Sequence, residues 1–296
     1  MNERVPPLVD PFWLSTRVLA GEGSAPIRVI DVTWNPHGKP GRDYYQESHI
    51  PGSLFFDLEE CRLRQSPYRV TLPPAAEFAN YVSELGIGND THVVVYEHDP
   101  VYGSKTATRV WWMFRVFGHD RVSVLDGGLG LWINQGHPTT SQEPPQGPSG
   151  VKFRTKFRKN LVKSYEDILR DLKEGLGQLL DTRPPHWFDG SRQSLWPNLQ
   201  LGTIVGSSHL PFTELLHKES STFKSADEIR VIFSAGGIDL SRPLTTTCNV
   251  GVTACIAAMG AFLLGREDVA VFDGSWDEFS QRAAPEMLNI NYYTSA

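Results

Sequence analysis

Apolar residues in this chain fall into short, nearly unbroken blocks that alternate with longer apolar-rich segments. The short blocks are 28–34 (RVIDVTW), 92–98 (HVVVYEH) and 122–132 (VSVLDGGLGLW), then 178–184 (QLLDTRP), 243–249 (PLTTTCN) and 269–279 (VAVFDGSWDEF). Blocks apolar at consecutive positions suit parallel strands covered on both faces. The longer segments read as helices: 11–20, 107–118 (ATRVWWMFRVFG), 161–174 and 254–265 (ACIAAMGAFLLG), with 107–118 and 254–265 each closing on a glycine.

The same order of parts occurs twice. HIPGSLFFD (49–57) corresponds to TIVGSSHLPF (203–212), and the spacings repeat closely. Gly118 to Asp126 and Gly265 to Asp273 are both 8 residues; Asp31 to Asp126 is 95 and Asp181 to Asp273 is 92. Between the copies lies PTTSQEPPQGPSG (138–150), whose prolines and glycines block helix and sheet. The expectation is an α/β fold of two domains, 8–137 and 151–290, joined by a 138–150 linker. Each would be an open, mostly parallel sheet flanked by helices.

Composition narrows the function classes. The 296 residues are 40% hydrophobic and 21% charged, ordinary for a folded domain, which excludes a disordered chain. A formal charge of −6 argues against a nucleic-acid binder that relies on a basic surface. The longest nearly apolar stretch, Val252–Gly265, is too short to span a bilayer, so no membrane partner is expected. The N-terminal sequence lacks an apolar signal core and is too acidic and proline-rich for a typical mitochondrial presequence. The cytoplasm is the expected compartment, with a mitochondrial location left open. Three cysteines without a CxxC pair exclude a disulfide scaffold and a structural zinc site. No metal or other cofactor is expected.

In open parallel sheets, chemistry gathers where a strand's carboxyl end turns into a helix. In the second half that point is Cys248, followed by Asn249, Val250, Gly251, Val252 and Thr253 and then a helix. Gly251 can take positive φ, letting successive N–H groups point inward, and Thr253 is placed to cap the helix. A cysteine in such a cradle meets unpaired N–H groups and the positive end of a helix dipole, which favour a thiolate or persulfide. Cys248 is therefore the expected nucleophile. The corresponding first-half loop, 97–104, has no cysteine, so one domain works and the other supports it. A CX5R phosphatase is disfavoured because Ala254 stands where the arginine would be. A papain-like protease is disfavoured because no histidine sits in a partner motif.

Asp31, Asp126, Asp181, Arg183 and Asp273 recur at strand ends and read as loop hydrogen-bonding residues. Trp111, Trp112 and Phe114 read as helix core and Cys255 as a buried inert thiol, while the sequence does not decide whether Cys61 sits exposed in a loop and open to oxidation.

These residues carry a resemblance to the tandem-domain rhodanese family, the thiosulfate and 3-mercaptopyruvate sulfurtransferases. YQESHIPG (45–52) resembles the family's first signature, DGSWDEF (273–279) the second, and Cys248–Cys255 its cysteine loop, with similarity over roughly residues 8–290. The resemblance implies two tandem rhodanese-like domains, the N-terminal one non-catalytic. It implies transfer of a sulfane sulfur from a small donor through a Cys248 persulfide to an acceptor: a thiol such as thioredoxin or glutathione, or cyanide. Three departures bear on the donor. Asn249-Val250 replaces the Arg-Lys or Gly-Ser that follows the family's cysteine. Trp187 stands in place of the substrate-binding arginine, with Arg192 nearby as a candidate substitute. Val70 replaces the histidine of an SPYxH motif, and Glu59 the aspartate that would pair with it. A neutral loop should favour a monoanion such as mercaptopyruvate over the thiosulfate dianion. The alternative reading is a degenerate rhodanese acting as a non-catalytic binding or regulatory module.

Overall fold

The computed structural model describes residues 5–18, 26–99, 105–144, 150–192 and 199–290. They divide into two compact units. The first contains the described parts of Met1–Arg64, Leu72–Arg158 and His217–Phe223; the second contains those of Gln65–Thr71, Lys159–Leu216 and Lys224–Ala296.

In the first unit the elements run β1 (Leu8–Val9), α1 (Pro11–Val18), β2 (Ile27–Asp31), α2 (Gly41–Glu47), β3 (Leu54–Phe55), α3 (Ala75–Glu84), β4 (His92–Tyr96), α4 (Lys105–Val116), β5 (Val122–Leu125) and α5 (Gly128–Asn134). In the second they run β6 (Val162–Lys163), α6 (Tyr165–Glu174), β7 (Gln178–Asp181), α7 (Pro185–Phe188), β8 (Thr203–Ile204), β9 (Ser208–His209), α8 (Ala226–Ala235), β10 (Leu244–Thr247), α9 (Ala254–Leu263), β11 (Ala270–Phe272), α10 (Ser275–Arg282) and β12 (Leu288–Asn289). The sheets have matching orders, β1-β5-β4-β2-β3 and β6-β11-β10-β7-β9. Every neighbouring pair in both is parallel, while β8 and β12 form a separate antiparallel pair. The repeat read from sequence is thus a repeat of sheets.

The central strands explain their own composition. All five residues of β4 are buried, as are the four of β10, because helices cover both faces. Helix α4 is buried from Thr106 to Val116, so Trp111, Trp112 and Phe114 are core. Arg109, fully buried there, stacks its guanidinium 4.5 Å from the Trp112 ring centroid. Helix α9 is buried along most of its length and built from small residues, which lets the sheet approach closely.

Some boundaries depart from the sequence pattern. The helix expected over 161–174 begins at Tyr165, because Ser164 caps it in a reciprocal box with Asp167 and Val162 is drawn into the sheet beside Val271. Helices α2, α3, α5, α7, α8 and α10 were not foreseen; α5 and α10 take up the second halves of the blocks 122–132 and 269–279. In α3 and α8 only two residues each are buried, Phe78 with Val82 and Ile229 with Phe233, a narrow stripe at i, i+4. Residues 151–158, expected to open the second domain, pack with the first unit. Phe153 joins an aromatic cluster with Phe78 and Phe114, at centroid distances of 5.8 and 6.1 Å. Gly118, at φ +90°, allows Lys156 to pass close by, since a Cβ there would lie 2.6 Å from the Lys156 carbonyl. Part of the linker, 145–149, lies outside the described residues. No described helix is long and apolar enough to cross a membrane.

Candidate active site

Cys248 follows β10 directly and is 2% exposed. Gly251 takes φ +75°, the left-handed conformation expected of it. Thr253 occupies the N-cap of α9, but in helical backbone geometry and without a side-chain cap. Its hydroxyl lies instead 3.4 Å from that of Thr182. The expected capping role therefore falls away.

The orientation of the loop's amides follows from its carbonyls. The Trp276 N–H donates to the Cys248 carbonyl (3.0 Å), and the Asp277 N–H donates to the Asn249 carbonyl (2.8 Å). A trans peptide directs its N–H opposite to its C=O. With these two carbonyls held toward the start of α10, the N–H groups of Asn249 and Val250 point to the other side of the loop. Among the described residues, no acceptor takes the N–H groups of Asn249, Val250, Val252 or Thr253. Such a run of unpaired amides can hold an anion.

Ser275 is a residue that sequence reasoning missed. Its hydroxyl accepts the Cys248 N–H (3.3 Å) and donates to the Phe272 carbonyl (2.8 Å). It holds φ +50°, uncommon for a residue with a Cβ. The same position in the first unit is Gly128, at φ +58°. The signal was in the aligned DGG and DGS: a serine replaces a glycine where the backbone requires positive φ, so its hydroxyl offsets the strain.

Below the loop lies a buried ion pair. Arg183 Nη2 donates to Asp181 Oδ2 (2.6 Å) and to the Gly202 carbonyl (2.9 Å), and its Nε reaches both carboxylate oxygens. The guanidinium carbon also sits 4.9 Å from the Trp276 ring centroid. Asp181 is the register partner of Thr247, so this pair fixes the strand end from which Cys248 emerges. In the first unit, Asp31 accepts the N–H and hydroxyl of Thr33 and Asp126 accepts the Phe223 N–H, all loop-bracing contacts.

Sheet register also identifies the counterpart of Cys248. Asp31 pairs with Tyr96 as Asp181 pairs with Thr247, so Glu97 stands where Cys248 stands. The Leu129 N–H donates to the Glu97 carbonyl just as that of Trp276 does to Cys248. Glu97 Oε1 accepts the N–H groups of Thr106 (2.8 Å) and Ala107 (3.4 Å) at the start of α4. The first unit's helix start is thus filled by its own carboxylate; the rest of the expected loop, 100–104, lies outside the described residues. Burial pushes the Glu97 carboxyl up to about 7, and Asp99 adds to the effect while Lys105 opposes it. Burial likewise pushes Asp31 up to about 6.

A carboxyl raised in the folded state binds its proton more tightly there than in the unfolded chain. Its contribution is complete at low pH and is lost as pH rises from the ordinary glutamate range through about 7. The loss for Glu97 is on the order of 3 kcal/mol. Glu97→Gln keeps the carbonyl acceptor and removes the titration. The variant is expected to melt higher than the parent at pH 8, with a smaller fall between pH 5 and 8. Parallel melting profiles would contradict this origin.

The other expected site residues are placed as follows. Trp187 lies in α7, beyond the carboxyl end of β7, and its buried Nε1 has no partner among the described residues. Thr247 Oγ1 and Asn249 Oδ1 are also buried and unpartnered. Arg192 is exposed, its N–H bonded to the His186 carbonyl (3.0 Å); residues 193–198 that follow lie outside the described residues. Val70 is buried in the second unit at φ +46°. Glu59 accepts from Trp34 Nε1 (2.9 Å) and Arg62 Nε (3.0 Å) in the first unit. Cys255 is buried, its thiol donating to the Gly251 carbonyl (3.3 Å). Cys61, whose exposure the sequence leaves undecided, is 3% exposed, and burial pushes its thiol well up.

Residues 16–135 and 164–282 each match the model for the rhodanese-like domain. The chain is 46% identical over 283 residues to thiosulfate sulfurtransferase of Mus musculus, covering 94% of this chain and 93% of that protein. It is 41% identical over 281 residues to 3-mercaptopyruvate sulfurtransferase of Homo sapiens, covering 94% and 93%. The crystal structure of SseA from Escherichia coli, described as a 3-mercaptopyruvate sulfotransferase, matches with a TM-score of 0.78 and 30% identity, covering 92% of this chain and 99% of that one.

Proposed function

Because this chain belongs to the rhodanese family, we propose that it is a sulfurtransferase that carries sulfur as a persulfide on Cys248. The observation that supports this reading is that, among the described residues, the N–H groups of Asn249, Val250, Val252 and Thr253 have no acceptor in the loop that follows Cys248 at the end of β10. The Cys248 thiolate attacks the outer sulfur of a donor. A sulfur–sulfur bond forms, and the donor's bond to that sulfur breaks with its electron pair leaving on the donor. Thiosulfate departs as sulfite; mercaptopyruvate departs as the enolate of pyruvate, which takes up a proton. An acceptor nucleophile then attacks the outer persulfide sulfur and returns Cys248 as a thiolate. Cyanide becomes thiocyanate, and a thiol such as glutathione or thioredoxin becomes a persulfide. The added sulfur extends about 2 Å beyond Sγ, which carries the reacting atom outward from a thiol that is itself nearly covered.

The donor reading rests on charge. Asn249 and Val250 bring no cation to the cradle, and Trp187 offers a neutral N–H to a donor oxygen in place of a guanidinium. Mercaptopyruvate is therefore the favoured donor. Val250→Lys is expected to raise thiosulfate turnover about tenfold relative to mercaptopyruvate; an unchanged ratio in paired steady-state assays would reject loop charge as the cause.

A non-catalytic binding module remains the second reading, favoured by the 2% exposure of Cys248. Intact-mass measurement separates the two. Incubation with each donor is expected to add the roughly 32 Da of one sulfur, mapped to the Cys248 peptide. A chain that takes up no sulfur from either donor is a binding module.

A further inference from the structure

Asp277 is 2% exposed in the first turn of α10, one residue beyond Trp276, and its N–H is one of the two that hold the cysteine loop's carbonyls. Its carboxylate is met from another part of the chain. The Arg69 N–H donates to Oδ2 (3.1 Å), and Arg69 Nη1 donates to Oδ1 (3.2 Å) and Oδ2 (3.3 Å). Gln281 Nε2 adds a bond to Oδ1 (3.0 Å). The neighbouring charges are engaged elsewhere: Arg282 pairs with Glu278 and Glu166. Arg69 belongs to segment 65–71 of the same unit, next to Val70. A buried β-branched residue at φ +46° is costly, so the segment's position must be fixed by contacts such as this pair.

We propose that Arg69 and Asp277 are positioning residues for the Cys248 loop. The ion pair anchors the first turn of α10. That turn holds the Cys248 and Asn249 carbonyls, and those carbonyls set the direction of the amides that face the anionic sulfur. The pair also neutralises a buried carboxylate on the residue whose N–H holds the Asn249 carbonyl. Losing Arg69 would leave that negative charge unpaired and free the turn to shift, and both effects disfavour an anion on Cys248. This inference rests on the persulfide reading above.

The test is single-turnover persulfide formation, followed by intact mass, with whichever of thiosulfate and mercaptopyruvate labels the parent, together with steady-state kcat and KM. Arg69→Ala is expected to slow sulfur uptake and lower kcat about 10- to 100-fold with little change in KM. Arg69→Lys should recover most of the rate, and Arg69→Ala/Asp277→Asn part of it, since no unpaired carboxylate remains. Arg69→Ala at the parent rate, or Arg69→Lys as slow as Arg69→Ala, would overturn the inference. If Arg69→Ala does not fold, Arg69→Lys and Asp277→Asn alone decide, with only the second expected to be slow. A parent that takes up no sulfur refutes the persulfide reading and this inference with it; a labelled parent with indifferent variants refutes this inference alone.

Discussion

Cys248→Ser is expected to reduce sulfurtransferase turnover by at least about a thousandfold while leaving the fold intact. Serine is close in size to cysteine and can sit in the same loop, so the Ser275 and Trp276 contacts, which involve backbone atoms of Cys248, persist. What is lost is the sulfur nucleophile on which the proposed persulfide would form. The mass gain on incubation with donor should vanish with it. Cys61 and Cys255 give the control, because both are buried, Cys61 in the first unit's core and Cys255 in α9. Cys61→Ala and Cys255→Ala are expected to keep the sulfur adduct. A Cys248→Ser protein that still gains sulfur, or still turns over, would move the chemistry to another residue.

Asp181→Ala is expected to destabilise the second unit by about 3–5 kcal/mol, because it leaves the Arg183 guanidinium charged and buried with one remaining carbonyl partner, Gly202. The N–H of Arg183 loses its acceptor as well. The effect should reach activity, because Asp181 and Thr247 are register partners and Cys248 follows Thr247. Urea unfolding measures the loss, and a double change of Asp181 and Arg183 to apolar residues of similar volume should recover most of it. A single variant as stable as the parent would mean that the pair contributes nothing net.

The inner strands β2, β4, β5, β7, β10 and β11, the duplication and the cysteine loop were legible in the sequence, whereas the two-residue strands β1, β3, β6, β8, β9 and β12 were not, being too short to carry a pattern. Consecutive apolar residues mark β4, tight spacing marks the repeat, and a cysteine followed by Gly251 marks the loop. Helices α3 and α8 were missed because two buried residues in ten leave little pattern to read. Ser275 was visible as a letter in DGS, but its role depends on a backbone angle. Arg69 and Asp277 lie 208 positions apart, and no local rule joins them. Thr253 shows the converse: its residue type suits a cap, yet its backbone is already helical, so its side chain is not presented to the amides a cap would serve.

Glu97 in the place of Cys248 has a consequence for stoichiometry. Duplication gave this molecule two copies of one strand-to-helix corner, and at Glu97 one copy carries a covalently tethered occupant. On the reading proposed above, a small anion titrated into the protein competes in the first unit with a carboxyl it cannot displace by dilution, and among the described residues of the second unit no side chain takes that place. Saturation at one equivalent per chain is the result then expected, from an architecture whose symmetry would otherwise suggest two.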